Sequence, residues 1–494
     1  MTAPHLDFPA DILVGGVWRP GRGHRYASIY PADQSVNAEI VAANVEDVEE
    51  AVAAADAAWR KANWAGLKPH QRAAVLYRIS DLITQRHEAL AQMQRRDNGK
   101  PISETRALVT SAANTFRYFA ACLETLEEQV TPSRGDYLTM SVHEPLGVVA
   151  AITPWNSPIA SDAQKLAPAL AAGNAVILKP AEVTPLCSLA LGRICEEAGV
   201  PKGVLSVLPG KGSVIGDALV KHPRVKKIAF TGGTEVGRGI ARLAAEKLMP
   251  VSLELGGKSP TIVFADADLD HAVNGVLYGI FSSSGESCIA GSRLFVERSI
   301  YDSFVARLVA ATEKLRVGDP TREDTQMGPL VTGQHRATIE RYVALGLEEG
   351  GRLLTGGQRP AGEGRDDGFF FLPTIIDGLR NDAKICQEEI FGPVLVVLPF
   401  DNEADLLREA NDSVFGLAAG IWTSDYKRAY RVARALETGT VWINTYKQFS
   451  ISTPFGGWKE SGTGREKGRL GILEYMQQKS LYWGLNDAPL PWAN

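Results

Sequence analysis

The chain is poor in the residues that staple small folds or bind metals. It has five cysteines in 494 residues (Cys122, Cys187, Cys195, Cys288 and Cys386) and no C-x-x-C pair. That argues against a disulfide framework or a zinc ribbon and for reduced thiols in the cytoplasm. Only eight histidines occur, none in an H-E-x-x-H arrangement, so no metal site is expected. No uninterrupted apolar run reaches the roughly 18–20 residues that span a bilayer, and no membrane partner is expected. The first residues, MTAPHLDFPADIL, carry acids and prolines where a secretory leader has a basic stretch and an apolar core. An excess of one charge is also missing. The 52 basic and 57 acidic residues leave −5, which gives no footing for nucleic acid.

What is present fits a globular enzyme-sized protein. Hydrophobic residues make up 45% and charged ones 22%, the balance of a chain with buried cores and a charged surface. At 494 residues it is too long for one core, so two or three domains are expected.

Residues 1–45 read as short strands and turns. Asn44 then caps a helix with an acidic first turn, a second helix is predicted over Gln71–Arg96, and a third over Ser103–Ala121. Between 146 and 255, apolar runs recur at LGVVAAI, NAVILK, GVLSVLP, VKKIAF and VSLEL. Helical patterns separate most of them. One covers 234–248, with Val236, Ile240, Leu243, Ala244 and Leu248 on a common face. Strands alternating with helices predict an α/β fold with a doubly wound, mostly parallel sheet, whose ligands bind past the carboxyl ends of the strands. A second α/β pattern runs from TIVF at 261 to VWIN at 441. Segment 126–145 and the tail 475–494 look like strands remote from either pattern, which suits a β arm used for oligomerisation. The expected division is a Rossmann-like cofactor domain (1–125 and 146–255), a catalytic domain (256–447) and that arm.

Three side chains suit one reaction class. Cys288 lies in GESCIAGSR, whose small neighbours fill a core poorly but let backbone amides approach a bound oxygen. Its alternative reading is a small buried hydrophobe. A thiolate that attacks an aldehyde carbon creates an oxyanion, and Asn156 in TPWNSP could offer an N–H to it. Asn156 also reads as a turn former beside two prolines. Glu254 ends the VSLEL run before two glycines. In a dry pocket its pKa would rise, suiting it to take a proton from water, although it also reads as the polar member of an alternating strand.

Collapse of the adduct by hydride loss calls for a nicotinamide cofactor. Two glycine turns, FTGGTEVG at 230–237 and GKGSVIG at 210–216, follow predicted strands, and amides near Gly233 could face a pyrophosphate. Neither is the usual dinucleotide fingerprint, and any tight strand–helix turn can need such glycines. Lys179 and Glu182 follow another strand, where they could bind ribose hydroxyls or form a solvated pair. A carboxylate there favours NAD over NADP.

Seven stretches in one order, TPWN, LKPAE, FTGGTEVG, ELGGK, GESCIAGSR, EEIFGP and PFGGWKESGTGRE, resemble the aldehyde dehydrogenase superfamily over nearly the whole chain. The resemblance implies Cys288 as nucleophile, Asn156 as oxyanion donor and Glu254 as base for hydrolysis. It implies Trp155, Lys179, Glu182, Gly233, Glu389 and Phe391 as cofactor contacts, and a dimer or tetramer. A retained Glu254 implies release by water; the alternative, transfer to coenzyme A by a semialdehyde dehydrogenase, is typical of relatives without this base. A non-catalytic structural relative is a further alternative. Glu286 stands where many members have Gln, and a carboxylate facing the sulfur would raise the thiol pKa.

The family pattern thins at the substrate tunnel, which corresponds to Ser157, Ser161, Gln164, Lys447, Phe449 and Phe455. Gln164 replaces an aromatic common in oxidisers of simple aldehydes. A polar aldehyde or semialdehyde is therefore expected, with a carboxylate or hydroxyl reaching Lys447. An onium aldehyde would need Asp162 to offset that lysine.

Overall fold

The computed structural model describes residues 8–362, 364–487, 489 and 492. The first residues weighed above as a leader, and the last few of the expected arm, lie partly outside them.

The apolar runs of 146–255 become the strands Val148–Ile152, Ala175–Lys179, Leu205–Val207, Val225–Thr231 and Val251–Glu254. They run parallel, in the spatial order third, second, first, fourth, fifth. The first three are buried along their whole length, as strands covered by helices on both faces must be. The order reverses between Val148–Ile152 and Val225–Thr231, which pair directly. A crevice opens at the carboxyl ends there. Thr153–Asn156 leave one of these strands, and Gly232–Gly233 leave the other.

A second sheet holds Pro260–Val263, Arg293–Glu297, Thr374–Asp377, Val394–Phe400, Ala418–Trp422 and Thr440–Ile443 in parallel pairings, with Arg352–Thr355 antiparallel at one edge. The chain then returns to the first sheet, where Gly462–Thr463 pairs with Leu253 and Glu254. This return lays residues 448–468 beside the end of the strand that carries Glu254. In the third sheet the tail strand Met476–Gly484 pairs along its length with Tyr137–Pro145, which also pairs with Gln129–Thr131. The two remote strands of the expected arm are thus partners of each other.

Asn44 caps Val45–Arg60 in a reciprocal box with Asp47, each side chain accepting a 3.0 Å bond from the other residue's amide. The helix expected over Gln71–Arg96 is two helices, Pro69–Gln85 and His87–Asn98. No Gly or Pro marks the break. Arg86 leaves helical geometry there, and its guanidinium is tied to Glu197 at 2.6 Å. The helix expected over 234–248 ends at Ala245. Leu248 adopts a left-handed backbone (φ 53°) and is exposed, while Val236 sits in the first turn beside the crevice and not in the core.

Candidate active site

The loop carrying Cys288 is strained and pinned. Helix Leu269–Phe281 stops at Ser282, and Ser283, Ser284 and Gly285 follow with φ of 60°, 55° and 70°. Such a run costs a few kcal/mol in order of magnitude and persists only when the surroundings hold it. The holders are visible. Ser283 donates its amide (2.8 Å) and hydroxyl (2.9 Å) to Glu104, and the Ser284 hydroxyl donates to the Gly328 carbonyl at 3.0 Å. A Cβ on Gly285 would lie 2.3 Å from the Gly392 backbone, so this glycine serves a close approach between two segments. Beyond Cys288, buried Arg293 donates to the carbonyls of Lys258 and Ala410 and anchors the exit strand.

Cys288 borders a cleft of about 630 Å³ that runs along the crevice of the first sheet. Its walls include Trp155, Asn156, Lys179, Gly233, Glu389 and Phe391. Burial pushes the thiol up to about 12, with Glu389 and then Glu254 adding and Lys447 opposing. Glu286 does not contribute. Its carboxylate is turned away, accepts the Val331 amide at 2.9 Å, and is raised to about 8 by burial, with Lys100 opposing.

Asn156 donates its side-chain amide to the Glu286 carbonyl at 3.0 Å, two residues before the nucleophile. Glu254 is buried, and its Oε2 has no hydrogen-bond partner among the described residues. Burial first, and Glu466 second, hold its carboxyl well above the usual range, against Lys165, Arg465 and Lys467. Glu466 is itself ion-paired with buried Lys165.

The far part of the cleft has the donors a dinucleotide needs. Helix Thr234–Ala245 starts at Gly233 with no side-chain cap, so its first amides open onto the cleft, and a Cβ on Gly233 would meet nothing. The Lys179 ammonium, lowered to about 8 by burial, lines the same space. Glu182 lies beside it and pairs with His24 at 2.6 Å. Glu389 accepts the Gly257 amide at 3.0 Å and is raised to about 7 by burial. Phe391 (φ 58°) meets Trp155 edge to face at 5.2 Å. Among the described residues no group of three His, Cys, Asp or Glu side chains could hold a metal ion, and no helix is long and apolar enough to cross a membrane.

Of the tunnel candidates, Ser161 and Gln164 are the two partly exposed positions of the otherwise buried helix Pro158–Ala171. Lys447 donates to the Ser282 hydroxyl at 2.8 Å. Phe449 and Phe455 meet edge to face at 5.6 Å. Asp162 does not face Lys447. It is fully buried and accepts the Ser188 hydroxyl at 2.5 Å, so the compensation considered for an onium aldehyde is absent.

Residues 18–481 match the Aldehyde dehydrogenase family. The chain belongs to that family. It is 40% identical to betaine aldehyde dehydrogenase of Bacillus subtilis (strain 168), over 98% of this chain and 99% of the relative. A crystal structure of betaine aldehyde dehydrogenase from Staphylococcus aureus in complex with NAD+ superposes with a TM-score of 0.96 at 37% identity, over 98% and 96% of the two chains. A variant of aldehyde dehydrogenase from Bacillus cereus gives 0.94 at 39% identity, over 97% and 98%.

Sequence reasoning missed four residues of this aldehyde dehydrogenase's site. His335 lies edge to face with Trp155 at 5.3 Å and donates to the Phe391 carbonyl at 2.8 Å. Glu104 pins the nucleophile loop from a distant helix. Glu466 and Lys467 come from the return segment, and their PFGGWKESGTGREKG context shows only that the segment matters, not which side chains turn inward.

Proposed function

We propose that this aldehyde dehydrogenase oxidises a polar aldehyde to the carboxylic acid with NAD, through a covalent adduct on Cys288 and hydrolysis assisted by Glu254. One observation carries the reading: the thiol, the Asn156 amide and the open helix start at Gly233 share a single cleft, with an unpartnered carboxyl oxygen of Glu254 near enough to perturb the thiol.

The resting thiol is protonated, because its pKa lies far above neutrality. Attack needs a base, and Glu254 has both a free oxygen and a raised pKa. Sulfur then bonds to the aldehyde carbon while the carbonyl oxygen takes up negative charge. Asn156 has a second amide proton left for that oxygen, and the Cys288 main-chain N–H is the other donor. Bound NAD supplies the acceptor for the hydride that leaves the adduct carbon. Gly233, Lys179, Glu182, Glu389, Trp155 and Phe391 are the residues proposed to hold it. Glu254 passes its first proton to solvent, then takes one from the water that attacks the thioester, and acid and free thiol result.

The expected homo-oligomer, dimer or tetramer, would form through the third sheet, where Met476–Gly484 pairs on one side only and exposes Tyr482 and Trp483. Five unpaired cysteines suit a cytoplasmic site of action. The two large sheets support the proposed cofactor and catalytic domains.

NADH formation from an aldehyde panel, with NADP and coenzyme A as added arms, tests the reading. Turnover with NAD alone, lost in Cys288→Ala with folding intact, supports it. Turnover that requires coenzyme A would replace it with the acylating reaction, and no turnover would leave a binding protein.

A further inference from the structure

Lys467 is a buried ammonium without a counter-ion. The residue is 8% exposed, and among the described residues no carboxylate lies within ion-pair distance of it. Its neighbour Glu466 is committed to Lys165. Paired backbone bonds of 2.7 Å between Phe455 and Glu466 bring the lysine to the aromatic rim. There its Nζ sits 3.7 Å from the Phe449 ring centre and 5.2 Å from that of Phe455. Its backbone is left-handed (φ 59°), a conformation that costs a lysine free energy and turns this side chain inward. The ionisable groups close enough to act on it are its neighbour Glu466 first, then Cys288 and Glu254 of the reaction centre. Lys447 repeats the pattern: φ is 53°, Nζ bonds Ser282 alone among the described residues, and the ionisable groups near it are Glu104, Lys100 and Cys288.

An unpaired buried ammonium is expensive unless something supplies the opposite charge. We infer that Lys467, with Lys447 as the second cation, binds the distal carboxylate of the substrate, so that this enzyme oxidises carboxylated aldehydes in preference to onium aldehydes. The inference rests on the reading of Cys288 as the oxidising centre and adds the substrate class. An onium group would find both rim rings already facing a lysine, and Asp162 turned to Ser188. The betaine aldehyde in the relatives' names therefore does not carry over to this chain.

The test compares succinic semialdehyde with butanal and betaine aldehyde in the wild type, Lys467→Met, Lys467→Arg and Lys447→Met. Wild-type kcat/KM should favour the semialdehyde. Lys467→Met should lower that value roughly 10- to 100-fold, mainly through KM, and lower the value for butanal far less. Lys467→Arg should retain most of it. Calorimetric binding of succinate, which needs no turnover, should weaken in Lys467→Met and Lys447→Met. A wild-type preference for butanal or betaine aldehyde overturns the inference, as does an equal loss for every aldehyde or succinate binding indifferent to both lysines. Lysine-dependent succinate binding without any turnover would uphold the anion site and remove the oxidation reading.

Discussion

Asn156 is held by the segment it serves: its amide nitrogen donates to the carbonyl of Glu286 at 3.0 Å, while Asn98 donates to the Asn156 main-chain oxygen at 3.3 Å. The second amide proton therefore points from a fixed plane. In the proposed mechanism this orients the donor before any substrate arrives, which would let it lower the barrier without reorganising during reaction.

Replacing Asn156 with Ala should cut kcat by roughly 10²–10³-fold, the usual loss for one preorganised oxyanion donor. NAD affinity should change little. Steady-state rates beside a fluorescence titration of NAD separate the two effects. An unchanged kcat would remove Asn156 from the oxyanion site.

Glu254→Gln should slow both halves of the reaction. A glutamine can take a proton from neither the thiol nor the water, so the first equivalent of NADH and steady turnover should both slow, read by stopped-flow beside steady-state rates. The pH profile gives an independent reading. Because the carboxyl is raised well above its usual range, the basic form is scarce at low pH and grows as pH rises through the folded value. Wild-type kcat should climb as pH rises through that raised value, above the ordinary carboxylate range, and the Gln variant should lose that limb. A flat wild-type profile would assign the base elsewhere.

The strands were legible because burial on both faces forces continuous apolar runs, and VVAAI, AVILK and VSLE became strands where expected. Cys288 and Asn156 stood out because reactive side chains sit in turns with small or rigid neighbours. The break at Arg86 was not legible: it has no Gly or Pro signature, and the partner of its guanidinium, Glu197, lies more than a hundred positions away. The same limit hid Glu104 and Lys467. Each acts through a contact made by tertiary folding, and nothing in its local pattern distinguishes it from a surface charge.

Glu286 supports the loop and does not tune the thiol. Its carboxylate accepts the buried Val331 amide and stands within the field of Lys100. Glu286→Ala orphans the Val331 amide and leaves Lys100 with Glu104 as its remaining carboxylate, and should cost about 1–3 kcal/mol of stability, read as a lower unfolding midpoint in urea. Glu286→Gln keeps an acceptor for the amide and should cost less. Neither variant should shift the pH dependence of iodoacetamide alkylation of Cys288; a marked shift would mean the carboxylate acts on the sulfur.

Glu182 gives the clearest test of cofactor choice. It follows the strand Ala175–Lys179, beside the buried Lys179 ammonium, and lies 2.6 Å from His24 at the edge of the proposed ribose position. A 2′-phosphate brought there would meet a like charge, and removing that charge should weaken discrimination by roughly 10-fold at ordinary ionic strength. Glu182→Gln is therefore expected to lower KM for NADP, leave kcat with NAD nearly unchanged, and lose part of the NAD preference. High salt should shrink the wild-type preference in the same direction, since screening weakens repulsion without altering the hydrogen bonds to the ribose. If NADP kinetics are identical in the two proteins at low salt, the carboxylate does not face the 2′ position, and selectivity must come from the shape of the cleft around Lys179 and Gly212–Gly216.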